Sequence, residues 1–286
     1  MGIVINTNIP SIQAARALSS TRADLEQAME RLSSGKRING AKDDAAGMSV
    51  VTRMKAQISS LNQAVRNAND GISLVSTFDG AADEIEDILI RMRELATLVQ
   101  NGTYTMSDDS NANLEFLALN TEITRIQEKT KFNGSLDVAS TGTQTYSFQV
   151  GFNGGDAVSI AFGSLNASTL ATVDLGSTTL DLEGGADKAA NIATASAAVT
   201  KLDVALSNLN VHRATAGAVI NRLEHTVSNL MNVVQRTEEA RSRIEDADFA
   251  AESAAMARAN VLVQAGSAML AQANQSPQYV LALLRG

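Results

Sequence analysis

The sequence has no cysteine and no tryptophan, and its 286 residues include only two prolines and 3% aromatic residues. Without cysteine, the chain can form neither disulfides nor thiolate metal sites. Its apolar residues are chiefly Ala, Leu, Val, Ile and Met, which are typical of helix interfaces rather than of large globular cores. The composition therefore predicts a protein built from long helices.

Basic residues are fewer than acidic ones, so the formal net charge is -8 and the isoelectric point is near 4.9. Binding to a nucleic-acid backbone needs a basic face, so we expect no nucleic acid as a partner. No stretch has the roughly 20 uninterrupted apolar residues of a membrane span, since even Val261 to Ala273 contains Gln264 and Gln272. The first ten residues also lack the basic and apolar blocks of a cleaved secretory signal.

In the first half of the chain, apolar residues recur at helical spacing. Leu18, Leu25 and Leu32 lie seven residues apart and predict a weak heptad seam. After residues 33–40, steps of three and four predict a helix from 44 to about 100 that tolerates Gly80. Its predicted seam consists of Val51, Met54, Ile58, Leu61, Val65, Ala68, Ile72, Val75, Ile85, Ile88, Met92, Leu95 and Val99.

A shorter helix and a strand-rich segment follow. Phe116, Leu119, Ile123 and Ile126 predict a helix over about 108–130 that ends at Asn133-Gly134. The pattern then alternates, which predicts a β-hairpin near residues 146–162. The alternating apolar residues are Tyr146, Phe148 and Val150 in one strand and Val158, Ile160 and Phe162 in the other.

Helical spacing returns in the second half and predicts a helix over about 188–236. Only Arg213 interrupts its predicted seam, which consists of Val199, Leu202, Leu206, Leu209, Ala216, Ile220, Leu223, Val227, Leu230 and Val234. The last segment places apolar residues seven apart at Phe249, Met256, Val263 and Leu270, with Ala259, Gly266 and Ala273 between them. Such small side chains bury little apolar area, so a helix of this kind gains little stability alone. We expect it to need partners.

These patterns predict a mainly α fold, an elongated antiparallel long-helix bundle or coiled coil with a small β-hairpin region at its distal end. Residues 1–43 and 245–286 would form a terminal helical coiled-coil domain. Residues 44–165 and 186–244 would form a rod-like helical bundle, and residues 166–185 a short variable tip.

Two long motifs at opposite ends of the chain carry a family resemblance. Arg31-Leu-Ser-Ser-Gly-Lys-Arg-Ile-Asn39, followed by Ala41-Lys-Asp-Asp-Ala-Ala-Gly47, closely resembles the amino-terminal signature of bacterial flagellins. Arg243-Ile-Glu-Asp-Ala-Asp-Phe249 and Met269-Leu-Ala-Gln-Ala-Asn-Gln275 resemble the carboxyl-terminal signature. The middle is too short for the outer domains of larger members, so only the inner, filament-forming domains are expected.

The resemblance implies an extracellular structural subunit that leaves the cell unfolded by flagellar type III export and polymerises with copies of itself, enabling motility. It implies that residues 1–43 and 245–286 are disordered in the monomer and fold on assembly. Other implied partners are an export chaperone at the carboxyl-terminal helices, hook-associated junction proteins and cap proteins. The seam residues expected in the polymer core are Leu18, Leu25, Leu32, Phe249, Met256, Val263 and Leu270.

The resemblance also implies recognition of the monomer by the animal Toll-like receptor 5. Arg91, Leu95 and Glu115 match the family's principal receptor contacts. The alternative is that Leu95 is only a seam residue, while the two charged residues support contacts between subunits.

Enzymatic activity is not expected, and neither a cofactor nor a metal is predicted. Asp43-Asp44 and the acidic residues Asp83, Glu84, Glu86 and Asp87 could bind cations, but no histidine or nucleophile pattern accompanies them. We interpret them as helix surface, with Asp43 as a helix cap. The zinc-peptidase motif of some flagellins is absent, because His212 and His225 lie thirteen residues apart.

Two other functions stay open from sequence. A hook–filament junction protein shares the terminal signatures but matches them more loosely. A secreted binding module such as an adhesin would depend on the tip, which has few aromatic or arginine anchors.

Overall fold

The computed structural model describes residues 7–134, 136–137, 144–162 and 188–285, with side chains of the last helix described as far as residue 275. Its contacts divide the chain into two compact units. Unit 1 consists of Met1–Ile58 and Gln235–Gly286, and unit 2 consists of Ser59–Val234. The predicted boundaries near residues 43 and 245 concern which residues fold only on assembly, and they stay a prediction.

Unit 1 contains helix α1, Ile9–Ser34, and the last helix of the chain, Phe249–Arg285. The Asn8 side chain caps α1 by accepting the Ser11 N–H at 3.2 Å, and Gly35 ends the helix with a left-handed φ of 69°. The last helix begins where the Asp248 carboxylate accepts the N–H groups of Ala250 and Ala251. Each helix therefore starts at an oxygen-bearing side chain.

Helix α2 runs unbroken over Ala45–Val99, which confirms the predicted long helix. Its cap differs from the prediction: the carboxylate of Asp44, not Asp43, accepts the Gly47 N–H at 2.8 Å. Asp43 instead accepts the N–H groups of Asn39 and Gly40 at 3.0 and 3.1 Å, and these hydrogen bonds lower its pKa. Asp43 closes the preceding loop because its side chain points back along the chain.

Helix α3, Met106–Lys129, confirms the second predicted helix. Thr105 and Asp108 form a capping box that starts it two residues earlier than expected. Helix α4 covers Lys188–Glu245 and extends beyond the predicted end at 236. The extension has no apolar seam to reveal it, but ion pairs such as Arg241–Glu238 at 2.6 Å support it. The last helix is thus α5.

The β-hairpin is confirmed, with β3 over Gln144–Gln149 and β4 over Ala157–Phe162. Tyr146 pairs with Ile160, and Phe148 pairs with Val158. A smaller pair, β1 (Lys131–Phe132) and β2 (Leu136–Asp137), was not predicted. Two-residue strands give too short a pattern to detect, although Asn133-Gly134, with positive φ at both residues, lies at their turn. The predicted tip lies outside the described residues.

The core of unit 2 is formed by α2, α3, α4 and the hairpin together. Phe78 of α2 contacts Phe162 of β4, with ring centroids 4.9 Å apart. Phe116 and Ile123 of α3 are fully buried in the same core. Every predicted seam residue of α2, α3 and α4 is buried or half-buried. The structure therefore confirms a mainly α fold with a small antiparallel hairpin.

Candidate assembly and recognition surfaces

Helices α1 and α5 pack against each other in antiparallel directions, since Asn8 contacts Ala273 and Arg31 contacts Glu252. Leu18 and Ala28 are buried at this contact, and Leu25 and Leu32 are half-buried. On α5, Met256, Val263 and Leu270 are half-buried, with Ala259 buried and Gly266 and Ala273 half-buried between them. Phe249 lies at the start of α5 and is 68% exposed. Six of the seven predicted seam residues are thus buried or half-buried, and their place in a polymer core stays a prediction.

The outer face of the α1–α5 pair carries exposed apolar side chains. On α5, Val261 and Met269 are 65% and 61% exposed, and Leu262 is 50% exposed. On α1, Ile9 and Ile12 are about half exposed. Apolar residues grouped in this way mark surfaces that bind other proteins. The exposed apolar side chains of this pair are therefore a candidate surface for binding another protein.

The two terminal motifs meet in unit 1. The Arg37 N–H donates to the Glu245 carbonyl at 2.7 Å, and the Ala247 N–H donates to the Gly35 carbonyl at 3.0 Å. The Arg37 guanidinium adds a hydrogen bond to the Ile244 carbonyl at 2.8 Å. Residues far apart in the sequence therefore form one junction, which periodicity could not reveal.

Glu245 is the buried charge of this junction, and its side chain is 6% exposed. Its carboxylate binds Lys55 at 2.6 Å and Lys36 at 3.1 Å, and Arg241 lies 3.6 Å away. Burial alone would raise its pKa, but the hydrogen bonds from Lys55 and Lys36 outweigh burial, so the pKa is lowered. Glu245 therefore stays ionised and contacts three positively charged side chains.

The other end of the helix pair is joined by polar contacts. The Asn8 amide donates to the Ala273 carbonyl at 2.7 Å, and the Ser11 hydroxyl donates to the Asn274 side-chain oxygen at 2.6 Å. Asn8 also caps α1, so one side chain both starts this helix and contacts α5.

The predicted receptor residues lie in unit 2, where Arg91 and Glu115 form an exposed ion pair with Nε and Oε1 2.8 Å apart. Arg91 also binds Glu94 at 3.0 Å, and both acidic residues raise its pKa, Glu115 the more. Leu95 is only 4% exposed and belongs to the core of unit 2. The structure thus brings the two charged residues together at the surface and places Leu95 inside.

Arg213, the interruption in the predicted seam, binds three carboxylates of α2. It lies 3.1 Å from Asp79 and 2.9 Å from Asp83, and it also contacts Glu86. Burial works to lower the Arg213 pKa, but the hydrogen bonds and charges of Glu86 and Asp79 raise it. Part of the acidic run considered as a cation site therefore binds an arginine. Among the described residues, no group of three or more acidic or histidine side chains could hold a metal ion.

A buried polar cluster in unit 2 escaped the sequence analysis. Asp109 is fully buried, and Lys188 Nζ lies 2.7 Å from both of its carboxylate oxygens. The Asn191 amide donates to the same carboxylate at 3.2 Å. The cluster joins the start of α3 to the start of α4. Asp109 lies seven residues before Phe116, on the buried face of α3, whereas Asp108 belongs to the capping box, so spacing indicates its burial but not its partners.

Two cavities lie among the described residues of unit 2. One of about 20 Å³, room for roughly one water, is lined by His212, Phe78 and Phe162 among others, and burial lowers the His212 pKa. An open groove of about 570 Å³ is lined by Ile72, Val227 and Met231, with Glu224 as its carboxylate. The first lining also contains Thr215, whose hydroxyl donates to the Val211 carbonyl at 2.8 Å, and the second also contains Ser228. None of the described helices is both long and apolar enough to span a membrane.

Comparison with known proteins gives matches over nearly the whole chain. Residues 5–137 match the bacterial flagellin N-terminal helical region, and residues 199–284 match the bacterial flagellin C-terminal helical region. A flagellin of Halalkalibacterium halodurans is 42% identical, with 99% of this chain and 100% of that protein covered. The flagellin of Bacillus subtilis is 39% identical, with 98% and 99% covered.

Two further matches are a spirochaete protein and a solved structure. The flagellar filament 33 kDa core protein of Treponema phagedenis is 37% identical over 99% of this chain and all of that protein. The crystal structure of Bacillus cereus flagellin is 33% identical, with a TM-score of 0.48, and covers 58% of this chain and 88% of its own.

Proposed function

The chain belongs to the bacterial flagellin family, structural proteins of the flagellar filament, and we propose that it is exported and polymerises with copies of itself into that filament to drive swimming. The observation that carries this proposal is the α1–α5 pair, which presents Val261, Leu262 and Met269 to a partner. Contacts between copies that do not close into a ring generate a helical tube. Such a protein acts extracellularly, in the flagellum.

Folding of the terminal segments on assembly is part of this proposal. The seam between α1 and α5 includes Ala14, Ala28, Ala259, Gly266 and Ala273, whose small side chains bury little area. Neighbouring copies would cover the exposed apolar face and supply the missing burial. Residues 1–43 and 245–286 would then be disordered in the monomer and ordered in the filament.

Polymerisation can be tested directly by warming the purified protein with filament seeds or precipitating salt, followed by negative-stain electron microscopy. We expect tubes whose length grows with protein concentration. Absence of tubes under every condition would contradict the filament proposal. Short assemblies that form only beside a different flagellin would favour the hook–filament junction alternative, which full-length matches to filament proteins do not support.

Partners during export follow from the same proposal. An export chaperone would bind the unfolded carboxyl-terminal segment, about residues 249–284, through the apolar side chains that later face neighbouring copies. Its release would precede assembly, so both uses of the segment are compatible. Hook-associated junction and cap proteins would contact the two ends of the filament.

Recognition by Toll-like receptor 5 is a second candidate function, supported by the exposed Arg91–Glu115 pair. Leu95 would support receptor binding indirectly, by packing beneath the recognised surface, because its side chain is buried. A reporter-cell assay with monomeric protein tests this: Arg91→Ala should reduce signalling. Arg93→Ala is a matched control, since Arg93 is equally exposed but pairs with Asp203. Unchanged signalling by Arg91→Ala would count decisively against receptor recognition.

An enzymatic role has no support from the relatives, which are structural proteins. An adhesin-like role would depend on the tip, which lies outside the described residues, and no described surface favours it. The filament subunit therefore remains the function to test first.

A further inference from the structure

The contact between α1 and α5 has a defined register. A Cβ atom placed on Gly266 would lie 3.3 Å from Leu18 Cδ1 and 3.8 Å from Leu18 Cβ, so Leu18 packs directly on Gly266. Both helices repeat their seam every seven residues. With antiparallel directions, Leu25 falls opposite Ala259, and Leu32 falls opposite Glu252. Only two of the three leucines therefore face a small residue.

The apolar seam alone does not select this register. If α1 slips by one heptad along α5, Leu18 faces Ala273, Leu25 faces Gly266 and Leu32 faces Ala259. All three leucines then face small residues, so the pairing of leucines with small residues does not disfavour the slipped register. A slip in the opposite direction places leucines against carboxylates and does not compete. One heptad corresponds to about 10 Å along a helix.

Polar contacts distinguish the two registers. Arg31 binds Glu252 at 3.0 Å, and both side chains are largely shielded from solvent. After the slip, Arg31 would face Ala259 and lose its carboxylate. The Ser11 hydroxyl would leave Asn274, and Arg37 would lose both its guanidinium contact with the Ile244 carbonyl and its backbone hydrogen bond to the Glu245 carbonyl. Lys36 does not distinguish the two registers, since it would contact Glu252 in the slipped register in place of Glu245.

We propose that Ser11, Arg31 and Arg37, here called the register clasp, select the register of the terminal helix pair that the apolar seam leaves degenerate. Each contact of this strength changes an equilibrium by about two- to ten-fold, so three together can decide between two similar packings. Similar degeneracy is resolved by polar residues in coiled coils.

The register determines which exposed α5 residues lie beside each axial position along α1. This consequence rests on the proposed function. A slipped pair would shift Val261 and Met269 relative to neighbouring copies, so the clasp would help neighbouring copies to assemble in the correct arrangement. The inference itself concerns the two helices of one chain once they are ordered, so crosslinks in the polymer test it, and crosslinks in unassembled chains show whether the pair is ordered before assembly.

Because the chain has no cysteine of its own, engineered pairs report the register without background. Leu18→Cys with Gly266→Cys reports the observed register, since the 3.8 Å Cβ separation matches that of disulfides, about 3.8 Å. Leu18→Cys with Ala273→Cys reports the slipped register. Full-length protein is oxidised mildly with oxidised glutathione, in sedimented polymer and in supernatant. Intramolecular disulfides are then measured by non-reducing gels and peptide mass spectrometry.

In the parent chain we expect the Gly266 pair to close and the Ala273 pair to stay at least about ten-fold lower. In the clasp variant Ser11→Ala/Arg31→Gln/Arg37→Gln, the Ala273 crosslink should rise by about ten-fold. The matched control is Ser19→Ala/Arg16→Gln/Arg22→Gln, which changes the same residue types at exposed positions of α1 and should leave both crosslinks unchanged.

In the polymer, an Ala273 crosslink that does not rise in the clasp variant would overturn the inference, as would equal closure of both pairs in the parent. Loss of both crosslinks in the clasp variant would also overturn it, because the clasp would then support pairing without selecting a register. A parent that closes the Gly266 pair but forms no polymer contradicts the proposed function alone.

Discussion

Gly47, in the first turn of α2, occupies a position where the structure leaves no room for a side chain. A Cβ there would lie 2.8 Å from Ile38 Cδ1 and press against the Asp44 carboxylate that caps the helix. We expect Gly47→Ala to destabilise unit 1 by about 1–2 kcal/mol, because overpacking outweighs the gain in helix propensity. The measurement is the temperature at which sedimented polymer loses its helical circular dichroism.

Gly80→Ala is the matched control for Gly47→Ala. Gly80 also lies within α2, but nothing lies within 4 Å of an added Cβ. This change should stabilise the chain by up to about 1 kcal/mol, because alanine loses less backbone entropy than glycine in a helix. Equal effects of the two substitutions would show that the close contact at Gly47 has no energetic consequence.

Glu245 makes the terminal junction sensitive to acid. Its pKa is lowered below the ordinary value of 4.5 in the folded chain, so its ionic contacts contribute stability fully above pH 4.5. That contribution is lost as the pH falls through the lowered pKa, since the folded carboxylate must then be protonated. Glu245→Gln should therefore lower stability at neutral pH and flatten its dependence on pH below 4.5.

The stability of polymer against pH, followed by light scattering, checks this expectation. Glu26→Gln is the control, because Glu26 is an exposed residue of α1. If Glu245→Gln shows the parent's pH profile, the acid sensitivity arises at other carboxylates, such as Asp43 with its lowered pKa.

At the scale of elements, α2 and α4 are antiparallel neighbours in unit 2, joined by apolar seams and by the Arg213 cluster. Arg213→Gln would leave Asp79, Asp83 and Glu86 close together without their cation. We expect a loss of about 1–2 kcal/mol, a modest value because two of the carboxylates are well exposed. The loss should shrink in high salt, which screens their repulsion. Urea unfolding of the monomer at low and high salt measures both effects.

Arg222→Gln removes the same charge from an exposed position of α4 and should change stability little. A salt-independent loss for Arg213→Gln would indicate lost packing of the arginine stem rather than lost ion pairs. An unchanged unfolding midpoint would contradict any stabilising role of the cluster.

For the whole molecule, the terminal segments should be dispensable for the stability of unit 2 but not for assembly. Deleting residues 1–43 or 245–286 should abolish polymerisation and leave a soluble helical protein, because the core of unit 2 lies within Ser59–Val234. Sedimentation and circular dichroism of the truncated chains are the measurements. Loss of helix content beyond the deleted residues would contradict the proposed domain division, and polymers formed by a truncated chain would contradict the role of its terminus.

The sequence by itself determined the helices of unit 2, their buried faces and the β-hairpin, because spacings of three to four or two residues state which face of an element is apolar. It also determined the family, through the residues around Gly35 and Glu245. The sequence did not predict the end of α4 or the small β1–β2 pair, because a charged helix end and two-residue strands show no periodic pattern of apolar residues.

Only the tertiary structure decided which polar residues meet. Arg213 broke a predicted seam, yet it binds the acidic face of α2, and Lys188, which pairs with the buried Asp109, lies 79 residues away from it in the sequence. Leu95 matched a recognition motif but lies in the core. The sequence likewise left the register of α1 on α5 undetermined, because a heptad repeat indicates which helix faces meet but not their axial alignment. Polar contacts between distant residues carry that information, and they become visible only when the chain is folded.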